Sequence, residues 1–208
     1  MALIMALSAL VLAALIGLYF LFVWGLWLLP LGVLGLFVVV AYTPWLAHRP
    51  LLCLIAPGLG FGPLMVMGTH FVLSGEYSWT AFLASLIPFF LVSNLLLLNQ
   101  FPDVDADRSI GRRHLPIVIG RRASSLVYGA FLLLTYLAIV VGVLLGMLPE
   151  ASLIGLLTAL LAVPTAINVY RYANDVTKLV PFMGLNVILN IATPVLVAIG
   201  LLISGKTS

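Results

Sequence analysis

Apolar residues in this chain run in blocks of about 20, separated by short polar breaks. A block of that length suits a helix crossing a hydrocarbon core of about 30 Å, whereas barrel strands would alternate apolar and polar residues over about 10 positions. Only helical bundles and closed barrels satisfy every backbone polar group inside a bilayer. The pattern therefore predicts an all-α polytopic transmembrane bundle of about seven spans, at 2–23, 26–46, 51–74, 79–98, 124–147, 151–170 and 181–203. Trp24, Trp27 and Pro30 mark the first break, His48 to Pro50 the second, and Ser74 to Ser78 the third. The fourth is a long polar stretch at 99–120; Pro149 with Glu150 makes the fifth, and Arg171 to Lys178 the sixth. Pro57, Pro63, Pro88, Pro164 and Pro194 fall inside spans and predict kinks, which neighbouring helices can satisfy. Gly58, Gly60 and Gly62 alternate as GLGFG, which inside a span predicts close packing or a kink rather than a phosphate loop.

Composition sharpens this into an exclusion. The 208 residues are 64% hydrophobic and 7% charged, against about 25% charged in a soluble domain. Such a chain lacks the polar area to cover a globule in water. It reads as one membrane-embedded domain over 1–208, with lipid as its surroundings. A single cysteine, Cys53, excludes an internal disulfide and, lying in an apolar run, reads as a small packing residue. The formal charge of +3 is better explained by orientation in the membrane than by a nucleic-acid partner. Loops on one side carry Arg49, Arg108, Arg112, Arg113, Arg121, Arg122, Arg171 and Lys178, eight of the nine cations; Lys206 lies in the tail on the other side. The positive-inside rule makes the cation-rich side cytoplasmic. The N-terminus is then cytoplasmic and the C-terminus outside, in a membrane read as the bacterial inner membrane. Met1 opens directly into an apolar run, without the basic flank of a signal peptide.

The same sorting places the fourth break, NQFPDVDADRSIGRRHLPIVIG, on the cytoplasmic side. It holds Asp103, Asp105 and Asp107, three of the six acidic residues. Asp103 and Asp107 are spaced i, i+4 and would share one face of a helix, while Asp105 points away. Pro102 opposes an unbroken helix through Asp103, but a fresh helix starting there keeps the pair together. Two carboxylates on one face repel unless a cation lies between them. Mg²⁺ suits the position, because it takes oxygen ligands, usually one or two carboxylates plus phosphates and waters. Arg112 and Arg113 could grip the free oxygens of a phosphate. Carboxylates, metal and arginines at a membrane surface fit a lipid with a diphosphate head. Spacing alone leaves a second reading open, in which the stretch is a solvated, charge-balanced loop. Asn94 and Asn99 either bond a neighbouring helix or contact the head group, and Asn168, Asn186 and Asn190 allow the same two readings. His70 reads as structural, and Asp175 with Lys178 as a solvated connector.

The run LLLLNQFPDVDADRSIGRRHLPIVIGRR resembles the second aspartate-rich motif of the UbiA superfamily of intramembrane prenyltransferases, in particular its MenA-like branch. Asn99, Asp103, Asp107, Gly111, Arg112, Arg113 and Gly120 fall on the pattern; His114 stands where Thr is usual. The resemblance extends from about Tyr42 onward. It implies a cytoplasm-facing cavity in which Mg²⁺ holds the diphosphate of a polyprenyl donor. Loss of diphosphate gives an allylic cation-like electrophile, which a small aromatic acceptor attacks, as in quinone synthesis. Asp103 and Asp107 would be Mg²⁺ ligands, Arg112 and Arg113 would contact the diphosphate with Arg113 also catalytic, and Asn99 would support it. Alternatives on the same scaffold are a transferase with another acceptor (glycerol phosphate, a porphyrin or a sugar phosphate) and a non-catalytic membrane protein or small transporter. The family normally has nine spans and a first acidic motif after the second, whereas here no acidic residue precedes Glu76. The expectation from this mismatch is a chain incomplete at its N-terminus by two spans and that motif.

Overall fold

A computed structural model describes residues 1–205, so Lys206, the cation assigned to the opposite side, lies outside the described residues. The described residues are helical apart from short connections, with no strand among them. The successive apolar segments are α1 (Ala2–Trp24), a 3₁₀ turn (Leu26–Leu28) leading into α2 (Leu29–Tyr42), and α3 (Pro50–Leu59) joined to α4 (Met65–Ser74) through a π-helical turn (Gly60–Leu64). Then come α5 (Trp79–Asn99), the short α6 (Val104–Ser109) and α7 (Leu115–Val118), and α8 (Arg121–Leu144). A nine-residue 3₁₀ helix (Glu150–Thr158) continues as α9 (Ala159–Arg171), and α10 (Val176–Ser204) closes the described chain. Among the described residues six helices are long and apolar enough to cross a membrane, with Leu26–Tyr42 as a shorter seventh apolar segment.

Four boundaries differ by three residues or more from those the pattern predicts, each for a local reason; the fifth segment ends at Leu144 rather than 147, ahead of Gly146 at φ +68°. The second segment stops at Tyr42 rather than 46: Thr43 still has helical backbone, but Pro44 has no N–H to continue the helical hydrogen-bond ladder. The fifth segment starts at Arg121 instead of 124, directly after Gly120, whose φ of +83° breaks the chain direction. The last starts at Val176 rather than 181: the Asp175 side chain accepts a hydrogen bond from the Lys178 backbone N–H at 3.2 Å and caps the helix, so Pro181 lies inside it. Asp175 and Lys178 also form an exposed ion pair at 2.8 Å, as expected of a solvated connector.

The core is organised on α5. Leu91, Leu97 and Leu98 are wholly buried there against Tyr128 and Ile139 of α8 and Leu189 of α10. Gly58 and Gly62, one helical turn apart, press α3 and the π-turn onto α5. A methyl group on Gly58 would collide with the Phe89 carbonyl and the Ser93 hydroxyl, and one on Gly62 would lie 2.6 Å from the Ser85 carbonyl, whereas Gly60 faces open space. The GLGFG run is thus a packing device, as small residues at membrane helix interfaces generally are. Deeper in the bundle, Asn94 Nδ2 donates to the Tyr128 carbonyl at 2.9 Å, and the Tyr128 hydroxyl donates to Asn186 Oδ1 at 3.0 Å. Tyr136, Thr158 and Thr193 join in a second hydroxyl chain at 3.0 and 2.8 Å. These bonds tie α5, α8, α9's 3₁₀ lead-in and α10 together.

At the other extreme, the apolar span of α1 has no buried residue. Between α1 and α2 lies an apolar cleft of about 630 Å³ lined by small residues such as Ala9, Ala13, Gly17, Gly32 and Gly35. The loops sort into two ends of the bundle. The Tyr77 hydroxyl donates to the Trp27 carbonyl at 2.6 Å, joining the first and third breaks. At the opposite end, residues 42–47 and 99–114 share one cavity, and Arg122 stacks on Tyr170 at 4.5 Å.

Candidate functional site

The cavity at that second end is built by the way α5 stops. Phe101 is completely buried and anchors the chain, and Pro102, which has no N–H to give, starts a new direction. Asp103 precedes α6, and its carbonyl accepts the Asp107 N–H at 2.8 Å, closing one helical turn between the two aspartates. Both carboxylates therefore border the same cavity, of about 220 Å³. Asp105 does not; it turns to Arg108 at 4.0 Å and Arg121 at 3.8 Å. Arg121 also donates from Nε to the Phe101 carbonyl at 2.8 Å, fastening α8 to this corner.

After α6 the chain reverses. Gly111 adopts φ +79°, a left-handed conformation that side chains rarely take, and the Arg112 N–H returns to the Asp107 carbonyl at 3.0 Å. This turn brings two donors onto Asp107. Arg112 Nη1 lies 3.0 Å from Oδ1, and His114 Nε2 lies 3.0 Å from Oδ2. Asp107 is only 8% exposed and His114 2%, while Asp103 is exposed and has no ion pair among the described residues. Burial pushes the His114 imidazole below its ordinary range, against the opposing pull of the Asp107 carboxylate.

The rest of the lining comes from both sides of the cavity. Asn99 and Gln100 close the end of α5, and Tyr42, Thr43, Ala47 and Cys53 come from the second and third segments. Gln100 Nε2 donates to Cys53 Sγ at 3.3 Å, and the Tyr42 hydroxyl lies 3.8 Å from the same sulfur. Cys53, which its apolar context assigns to packing, is buried but borders this polar cavity.

Of the residues singled out by sequence, Asn99, Asp103, Asp107 and Arg112 come together here. Arg113 is exposed and outside the cavity lining. Asn94, Asn186 and Asn190 bond neighbouring backbone or side chains in the helix network. Asn168 bonds the Pro164 carbonyl within its own helix. Sequence reasoning passed over His114, Gln100, Tyr42, Thr43 and Cys53. His114 carried a usable signal, since it is ionisable and lies in the one charged stretch; Tyr42 and Cys53 carried none, because only the meeting of separate segments brings them to the site.

Two carboxylates and the side-chain amides of Asn99 and Gln100 give the cavity oxygen donors suited to a hard cation. No group of three or more His, Cys, Asp or Glu side chains among the described residues could hold a metal ion by itself. Any cation held here would draw its remaining ligands from water or a bound anion, as Mg²⁺ usually does. Comparison with curated proteins and with solved structures returns no match. The model of the UbiA prenyltransferase family matches residues 1–202. A helical bundle of membrane-crossing length with paired aspartates at one end agrees with that match, and the chain belongs to the UbiA prenyltransferase family.

Proposed function

We propose that this intramembrane prenyltransferase moves a polyprenyl group from its diphosphate to a small aromatic acceptor in quinone biosynthesis, as in the MenA-like branch. The observation that carries the proposal is the gathering of Asn99, Asp103, Asp107 and Arg112 around one cavity at one end of the bundle. Asp103 and Asp107 would hold Mg²⁺, which when bound supplies positive charge to the leaving diphosphate. Arg112 would turn its planar fork to the phosphate oxygens, and the Asn99 amide would donate a further hydrogen bond. Arg113, exposed beside them, would add charge to the approach. The allylic C–O bond breaks with its electron pair leaving on the diphosphate, a ring carbon of the acceptor gives the electron pair of the new C–C bond, and the proton that carbon carried leaves to water, restoring the aromatic ring. The prenyl tail needs an apolar exit. Val39, lining the α1–α2 cleft, and Tyr42, lining the polar cavity, are three residues apart on α2, about one turn. This neighbourhood supports a tail running from the cavity toward that cleft.

The cavity end also carries Arg49, Arg108, Arg112, Arg113, Arg121, Arg122, Arg171 and Lys178, which supports a cytoplasmic site, a cytoplasmic N-terminus and an outward C-terminus in a bacterial inner membrane. The test is transfer of radiolabelled prenyl diphosphate by the chain in proteoliposomes, with Mg²⁺ or with chelator, to a panel of aromatic acids, glycerol phosphate, porphyrin and sugar phosphate. Mg²⁺-dependent labelling of an aromatic acid, strongly reduced by Asp103→Asn and Asp107→Asn, is the expected result. Transfer undiminished in both variants contradicts the site, and transfer to another acceptor contradicts the quinone assignment.

A further inference from the structure

His114 enters the site from a different direction than the other residues around Asp107. Its carbonyl accepts the Ile117 N–H at 3.0 Å and the Val118 N–H at 3.3 Å, so its backbone is the start of α7. Leu115 and Pro116 beside it are buried. The imidazole is therefore carried by a packed element. Arg112, the other partner of Asp107, has a side chain that is 46% exposed. A carboxylate oxygen only accepts, so His114 Nε2 must be the donor in the 3.0 Å bond to Asp107 Oδ2. The other ring nitrogen, Nδ1, is buried without any partner. Burying an unpaired nitrogen is unfavourable, so packing alone does not account for a histidine here. Each Asp107 oxygen keeps a second acceptor site after its bond to Arg112 or His114.

We propose that His114 is a positioning residue: its Nε2–H, held by α7, fixes the Asp107 carboxylate so that its remaining acceptor sites, together with Asp103, face a divalent cation. Arg112 is then free to exchange Asp107 for a phosphate oxygen while the carboxylate stays in place. This rests on the assignment of Asp103 and Asp107 as cation ligands. The geometry is that of an outer partner that orients a metal-binding group, whose loss typically weakens metal affinity about 10–100-fold.

The experiment titrates the full chain in nanodiscs with Mn²⁺ alone, reading free Mn²⁺ by electron paramagnetic resonance, for the wild type, His114→Leu, His114→Gln, Asp103→Asn and Asp107→Asn. The expected result is a Mn²⁺ affinity about 10–100-fold weaker in His114→Leu and largely restored in His114→Gln, whose side-chain N–H can reach the same oxygen. Wild-type affinity in His114→Leu, or a Gln variant as weak as the Leu variant, overturns the positioning role while the Asp variants still report on the ligands. A wild type that binds no Mn²⁺, or Asp variants that bind as well as wild type, overturns the cation site and the positioning role together. If His114→Leu fails to fold, His114→Asn replaces it, since its shorter amide falls short of Asp107; Mn²⁺ affinity in His114→Asn equal to that in His114→Gln then overturns the role.

Discussion

Two polar clusters lie in this apolar bundle, and they use their hydrogen bonds differently. In the Asn94–Tyr128–Asn186 cluster each residue is fully buried, and its bonds run from helix to helix. In the Asp103–Asp107 cluster one carboxylate is held by two side chains, the other has no ion pair among the described residues, and both border an open cavity. The first arrangement joins helices, and the second retains bonding capacity for a ligand. A polar residue within a membrane protein thus carries little functional meaning by type alone. What separates structural from chemical roles is where its donors and acceptors end up.

The largest expected effect that would separate the clusters comes from Asp103→Asn. Removing one preorganised charge at a reacting centre lowers turnover by about 100–1,000-fold. Thermal unfolding should not change, because the Asp103 carboxylate supports no ion pair among the described residues. A variant that loses activity only by unfolding would erase the distinction. Gly58→Leu, remote from the carboxylates, should do the reverse. Its side chain would meet the Phe89 carbonyl and the Ser93 hydroxyl, and overpacking of this kind destabilises by about 1–3 kcal/mol. Unfolding in a denaturant series would read that loss.

Tyr128→Phe is the milder probe of the structural cluster. It deletes the donor to Asn186 Oδ1, and such bonds between membrane helices average about 0.6 kcal/mol. Turnover per folded molecule should match the wild type; a large loss of turnover would make this network part of the chemistry. The smallest effect is expected from Arg113→Ala. An exposed charge contributes about 0.2–1 kcal/mol, so donor KM should rise only a few-fold. Arg112→Ala, which removes a residue bordering the cavity and bonded to Asp107, should raise it further. Equal effects would return Arg113 to the site on the same footing.

The legible part of this molecule was the part written in local periodicity. Blocks of apolar residues located all seven apolar segments, and i, i+4 spacing placed Asp103 with Asp107 and turned Asp105 away, as the turn from Asp103 to Asp107 does. The GLGFG run was readable as packing because small residues inside a span have few other uses. Pro181 misled, since proline at a helix start and proline inside a capped membrane helix look alike in sequence, and only the Asp175 cap separates them. The lining from Tyr42 and Cys53 was illegible for a different reason. Cys53 meets Gln100 across 47 positions of chain, and Tyr42 meets Cys53 from a separate segment 11 positions away, contacts no local pattern encodes.

Cys53 makes the central claim directly measurable. It is the single cysteine of the chain and borders the cavity beside Asp107. Its modification by methyl methanethiosulfonate, a small reagent, can be followed by mass spectrometry without any further label. With prenyl diphosphate and Mg²⁺ present at about ten times the donor Kd, occupancy of the cavity should slow modification about tenfold, while the corresponding prenyl alcohol should protect far less. Modification at an unchanged rate, or protection by the alcohol equal to that by the diphosphate, would contradict the assignment of this cavity to the diphosphate head.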